Sequence, residues 1–169
     1  MALDNDQWEE ARKMLAEVPA GNERATYQRL MGQLLWNRSL MLRQEQKTAE
    51  AEALLAEAAT ELRAGLEGIP GALTGAEALQ AALVLAKAEL RRGDAAAALG
   101  TLDHAKYGPV TLVDRLGEPT DGFKSDLYST ELQAVVGVMT TAGSDNAALL
   151  ARATKVMQKL QESVQGKPD

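Results

Sequence analysis

The chain has 169 residues, of which 46% are hydrophobic and 25% are charged, and its formal net charge is −6 at pH 7. The length is sufficient for one domain with a buried core, and the negative charge argues against nucleic acid as a partner, because phosphate binding requires a basic surface. The absence of cysteine excludes disulfide bonds, the lack of an apolar run of about 20 residues predicts no membrane span, and the N-terminal residues lack the basic and apolar segments of a signal peptide.

Alanine and leucine dominate the apolar residues, whereas valine, isoleucine and aromatic residues are few. Because alanine and leucine favour helices over strands, the chain is predicted to be all-α, with about seven helices. The first helix spans 6–18: Asp6 and Glu9 resemble a capping box at its start, and Pro19 ends it. This helix has no partner in the predicted pairing, which indicates either an N-terminal cap or a fragment of a longer repeat protein.

Three predicted helix pairs follow the leading helix, with boundaries at 22–66, 75–107 and 125–165. The first pair has a long leading helix that ends at about Gln46, and Thr48 is predicted to cap its second helix. The glycine-rich segment 65–75 is predicted to be a loop, and the segment 107–124 is predicted to be irregular.

Local signals mark the ends of the later helices. Thr74 opens a capping-box pattern, and Ser144 is predicted to cap the last helix. Between the two helices of the middle pair, Gly93 provides a turn and Asp94 caps a helix that runs to about Lys106.

A small–large–small pattern with helical spacing occurs three times in the chain. The copies are Ala11, Leu15, Val18; Ala51, Leu55, Ala58; and Ala98, Leu102, Ala105. Such a stripe lets a second helix lie close against the first, and its recurrence predicts an array of stacked helix pairs. An ordinary antiparallel helical bundle is the alternative, because alanine-rich helices in a bundle pack through the same stripes.

The third copy lies in the most informative context, because Ala86 and Gly93 precede it and Pro109 follows it. In these residues the segment 79–109 resembles a tetratricopeptide repeat, which has a small residue in its first helix, a turn glycine and an alanine–bulky–alanine stripe in its second helix. The resemblance implies a single domain over 1–169, built as a short right-handed α-solenoid of antiparallel helix pairs.

In tetratricopeptide-like arrays the first helices of successive pairs line a concave groove that receives a peptide or a partner helix. The resemblance therefore implies a partner-binding site on the second and fourth helices, formed by Gln33, Trp36, Asn37, Arg43, Gln80, Lys87 and Arg91. Trp36 is the candidate anchor, because a large amphipathic ring is typical of binding hot spots. Packing in the core is the alternative reading of Trp36, with equal weight.

No constellation for catalysis, a metal or a cofactor is evident in the sequence. The one histidine, His104, is predicted to lie near the end of the fifth helix in a structural role. We therefore expect no enzyme activity and a protein–protein interaction module that is a monomer or a weak homodimer. The alternatives are a structural bundle that homodimerises through alanine-rich faces, and an enzyme domain that uses the 107–124 segment over a cleft.

Overall fold

In a computed structural model the described residues are 5–70, 75–116, 122–142 and 146–165, and they form helices and turns without a strand. The helices are α1 (Asn5–Glu17), α2 (Asn22–Gln44), α3 (Thr48–Gly68), α4 (Ala76–Arg91), α5 (Ala95–Leu102), α6 (Pro109–Leu116), α7 (Lys124–Ala142) and α8 (Ala147–Gln165). The all-α prediction is confirmed. None of the described helices combines the length and the apolar character that crossing a membrane requires.

The helices group into two compact units, Met1–Leu73 and Thr74–Asp169. In the first unit α2 packs along α3, and α1 contacts α2. In the second unit α4 packs against α5, α7 packs against α8, and α5 contacts α7. Each helix pair predicted from the sequence is therefore present as a packed pair.

Small residues bring α2 and α3 into close contact. A Cβ atom added to Gly32 would lie 2.5 Å from Cγ of Leu62, and one added to Gly65 would lie 2.7 Å from the carbonyl oxygen of Ala25. The contacts join early residues of α2 to late residues of α3, so the two helices are antiparallel. Leu55 and Leu62 are fully buried in this unit.

The loop predicted for 65–75 is wrong over its first residues, because α3 continues to Gly68. Glycine lowers helix propensity by only about 1 kcal/mol, and packing against α2 offsets that loss at Gly65 and Gly68. Residues 71–74 of the predicted loop lie outside the described residues.

The turn between α4 and α5 has the predicted form. Gly93 has a φ of 82°, its N–H donates to the carbonyl of Leu90, and the N–H of Asp94 donates to the carbonyl of Glu89. This is a Schellman motif, in which the left-handed residue is usually glycine. Oδ1 of Asp94 then accepts a hydrogen bond from the N–H of Ala97 at 2.8 Å, which confirms the predicted cap of α5.

The segment predicted to be irregular contains an additional helix, α6. Pro109 is its first residue, where the missing N–H costs no hydrogen bond and the fixed φ suits a helix. Leu112 and Val113 of α6 are buried, and α6 contacts α4, α5 and α7. Residues 117–121 of the predicted irregular segment lie outside the described residues.

Two of the other predicted helix ends are wrong. The N-cap of α3 is Lys47 rather than Thr48, and no side chain caps that helix. Helix α5 ends at Leu102, so Ala105 of the third stripe lies beyond the helix and is exposed. Thr74 and Ser144 lie outside the described residues, as do the side chains of the predicted cap at Asp6 and Glu9.

Replacement of Gly65 by alanine is expected to lower the free energy of unfolding by about 1–3 kcal/mol, because the added Cβ would meet the backbone of α2. Gly100→Ala is the matched control, since Gly100 also lies within a helix but has no atom within 4 Å of an added Cβ. The free energy of unfolding of Gly100→Ala should rise by up to about 1 kcal/mol, because alanine has a higher helix propensity than glycine. Urea unfolding followed by circular dichroism measures both effects, and equal changes in the two variants would contradict the proposed close approach.

Candidate functional site

The predicted site residues of α2 differ in exposure. Trp36 is 8% exposed and lies on the same side of the helix as Ala25 and Gly32, which contact α3. Asn37 and Arg43 are exposed, and Gln33 is half-buried. The burial of Trp36 favours core packing over the role of an exposed anchor.

Arg43 of α2 is engaged within its own unit. Its guanidinium forms a salt bridge with the Glu52 carboxylate of α3 close to the α2–α3 turn. Both side chains are partly exposed to solvent, and such a pair typically contributes less than about 1 kcal/mol to stability.

The predicted site residues of α4 do share one face. Gln80, Lys87 and Arg91 follow one another at helical spacing, and Lys87 and Arg91 line a cavity of about 210 Å³ between α4 and α7. The other lining residues are Leu90, Asp126, Ser129, Thr130 and Gln133. Gln80 is exposed on α4 but does not line the cavity.

The cavity between α4 and α7 is lined mainly by polar groups. Nζ of Lys87 forms a salt bridge with the carboxylate of Asp126, which joins the two helices. The hydroxyl of Thr130 donates to the carbonyl of Asp126 at 2.8 Å. The lining residues carry two basic side chains and one carboxylate, and basic side chains bind carboxylates and other anionic groups.

The α7 side of the cavity was not among the residues predicted from the sequence. Asp126, Ser129, Thr130 and Gln133 form a polar stripe with the spacing of one helical face. This spacing was present in the sequence and, together with the position of α7 as the first helix of its pair, could have identified them.

A second polar cluster in the same unit is a structural network. Nε of Arg152 donates to Glu131 at 2.8 Å, and its two terminal nitrogens donate to the two carboxylate oxygens of Asp103 at 2.6 Å. The hydrogen bonds with Asp103, and to a smaller extent that with Glu131, raise the pKa of Arg152 above its ordinary value. Glu131 is buried on α7, so Arg152 compensates its charge and ties α8 to α7.

His104 does not lie in a helix, in contrast to the prediction, because α5 ends at Leu102. Its ring stacks on that of Tyr107 with 3.8 Å between the centroids, and its Nδ1 accepts a hydrogen bond from the N–H of Lys106 at 3.3 Å. Across the described residues, no group of three or more histidine, aspartate or glutamate side chains is arranged to hold a metal ion.

Comparison of the chain with protein-family models, with curated proteins and with solved structures finds no match. The candidate site therefore rests on the geometry of the described residues.

Trp36→Ala is expected to lower the free energy of unfolding by about 3–5 kcal/mol, as removal of a buried aromatic side chain does. Asn37→Ala changes the next residue, which is exposed, and should shift stability by less than about 0.5 kcal/mol. Urea unfolding of both variants distinguishes a core role of Trp36 from that of an exposed anchor. Truncation of an exposed anchor would leave the free energy of unfolding almost unchanged.

Proposed function

We propose that this chain is a non-catalytic protein–protein interaction module, and that it binds a peptide or a partner helix along the face shared by α4 and α7. The observation that carries the proposal is the cavity of about 210 Å³ lined by Lys87 and Arg91. The two basic side chains of its lining suit a peptide that presents a carboxylate at this position.

The packing of the second unit supports a repeat-like reading of this face. Helix α4 pairs with α5, α5 contacts the next leading helix α7, and α4 also contacts α7. In a stack of helix pairs, the leading helix contacts its own partner, and both helices of that pair contact the leading helix of the next pair. Insertion of α6 between α5 and α7 departs from a regular tetratricopeptide-like array.

The burial of the alanine stripes weighs against the alternative of a homodimer formed through them. Ala51 and Ala58 of α3 and Ala98 of α5 are fully buried within their own units. Their side chains are therefore occupied by intramolecular packing, whereas the α4–α7 cavity is accessible.

Arg91→Glu is expected to weaken the binding of acidic peptides by about tenfold or more, because it replaces an attractive charge with a repulsive one. The probe is an array of short labelled peptides that differ only in the number of carboxylates, read by fluorescence. Binding by the wild type should increase with the number of carboxylates.

Arg92→Glu provides the control for this experiment. It makes the same charge change one residue later, at an exposed position that does not line the cavity. Equal weakening by the two variants would indicate a non-specific charge effect and would reject the α4–α7 face as the binding site.

A further inference from the structure

Helix α2 has a second apolar face in addition to the one that packs on α3. Tyr27, Leu30, Leu34 and Met41 recur at helical spacing, and each is between 43% and 52% exposed. A single exposed leucine is unremarkable on a protein surface, but an aligned row of four large apolar side chains is typical of a binding surface.

This apolar face forms one wall of a groove with α1. The groove has a volume of about 410 Å³, and α1 contributes Ala11, Met14, Leu15 and Val18 to it. These include the first small–large–small stripe, whose residues are only half-buried, whereas Ala51, Leu55 and Ala58 of the second are fully buried. The groove therefore has an apolar floor that remains accessible to a partner.

The edge of the groove is acidic. Glu10 and Glu17 lie one turn before and one turn after Met14 on the same side of α1, and both are exposed. Glu23, at the start of α2, lines the groove directly. Within the described part of the chain none of these three carboxylates forms a salt bridge.

The nearby basic groups offset only part of the negative charge of this edge. Arg12 points to the other side of α1, where it pairs with Glu57 of α3 at 2.5 Å. Arg24 follows Glu23 and donates to the carbonyl of Val18 at 3.5 Å, and Lys13 lies one turn from both Glu10 and Glu17 on α1. Three carboxylates therefore lie beside two basic side chains, and the edge keeps a net negative charge. The acidic edge and the apolar floor together favour a ligand that is apolar on one side and basic beside it.

We infer that the α1–α2 groove binds a basic amphipathic helix of a partner protein. Apolar side chains of that helix, one turn apart, would contact Leu30, Leu34 and Met14, and flanking Lys or Arg residues would face Glu10, Glu17 and Glu23. The 13 residues of α1 span about 20 Å, so the bound segment would be about four turns long. This inference is independent of the proposed function, because the α4–α7 cavity favours the opposite charge.

The test uses the full chain and a fluorescein-labelled synthetic helix with a leucine stripe flanked by lysines. The matched probe carries glutamate in place of each lysine, and binding is measured by fluorescence anisotropy at low and high salt. The wild type should bind the lysine peptide at least about tenfold more tightly than the glutamate peptide, and added salt should reduce that preference.

The double substitution Leu30→Gln with Leu34→Gln should weaken binding of the lysine peptide by about tenfold or more, because it removes two apolar contacts with the peptide. Both side chains are about half exposed in the free protein, so the fold should be retained. Leu150→Gln with Met157→Gln on α8 is the control, since these residues are similarly exposed and should leave binding unchanged. Glu17→Lys with Glu23→Lys should shift the preference toward the glutamate peptide, whereas Glu162→Lys on α8 should not.

Equal binding of the two peptides, or wild-type binding by the Leu30→Gln, Leu34→Gln variant, would overturn the inference. Sedimentation of the chain over a range of concentrations tests whether a second copy of the chain occupies the groove. If the wild type self-associates but binds neither peptide, and the Leu30→Gln, Leu34→Gln variant does not self-associate, the groove binds a second copy of the chain. That result would also overturn the inference. Arg91→Glu should not affect binding of the lysine peptide. Failure of the inference for the α1–α2 groove can therefore be distinguished from failure of the proposal for the α4–α7 face.

Discussion

Close approach between helices through small residues is the constraint on which the rest of this structure depends. At Gly65, Cβ would overlap the backbone of α2, and at Gly137 of α7 it would lie 2.6 Å from Cβ of Ala95 in α5. Such contacts bring two backbones together but bury little apolar area for each residue. Leucines beside the small residues therefore complete the core, as Leu62 does in the first unit and Leu102 does in the second.

Apolar surface remains exposed on α2 because its buried residues cover only part of the helix. The buried residues are the small Ala25, Gly32 and Ser39 and four large side chains, whereas Tyr27, Leu30 and Leu34 are about half exposed. Helix α1 covers only part of this half-exposed side. An exposed apolar groove is thus a consequence of how α2 packs, and its acidic edge determines which ligands suit it.

Charges serve different purposes in different parts of the chain. Arg152 with Asp103 and Glu131 forms a closed network that connects α8 to α7, and it compensates a buried carboxylate. Lys87 and Asp126 connect α4 to α7 at the border of a cavity that remains accessible. The two candidate binding surfaces differ in sign, with positive charge at the α4–α7 cavity and negative charge at the α1–α2 groove. Opposite signs favour different ligands and limit competition between the two surfaces.

The features that could be predicted from the sequence depend on short-range interactions. Helix content follows from alanine and leucine propensities, and the turn at Gly93 and Asp94 depends on hydrogen bonds within a few residues. Lys87 and Arg91 were placed on one face through the resemblance to tetratricopeptide repeats, and their separation of four residues in α4 accounts for that shared face. Tertiary contacts determined the features that the sequence did not predict. Helix α3 continues through Gly65 because it packs on α2. The segment predicted to be irregular contains helix α6, in which Leu112 and Val113 are buried. Only the packed structure assigned Trp36 to the core and Leu30 and Leu34 to an open groove, because apolar residues recur on several sides of α2 and contact with α3 selects which of them are buried.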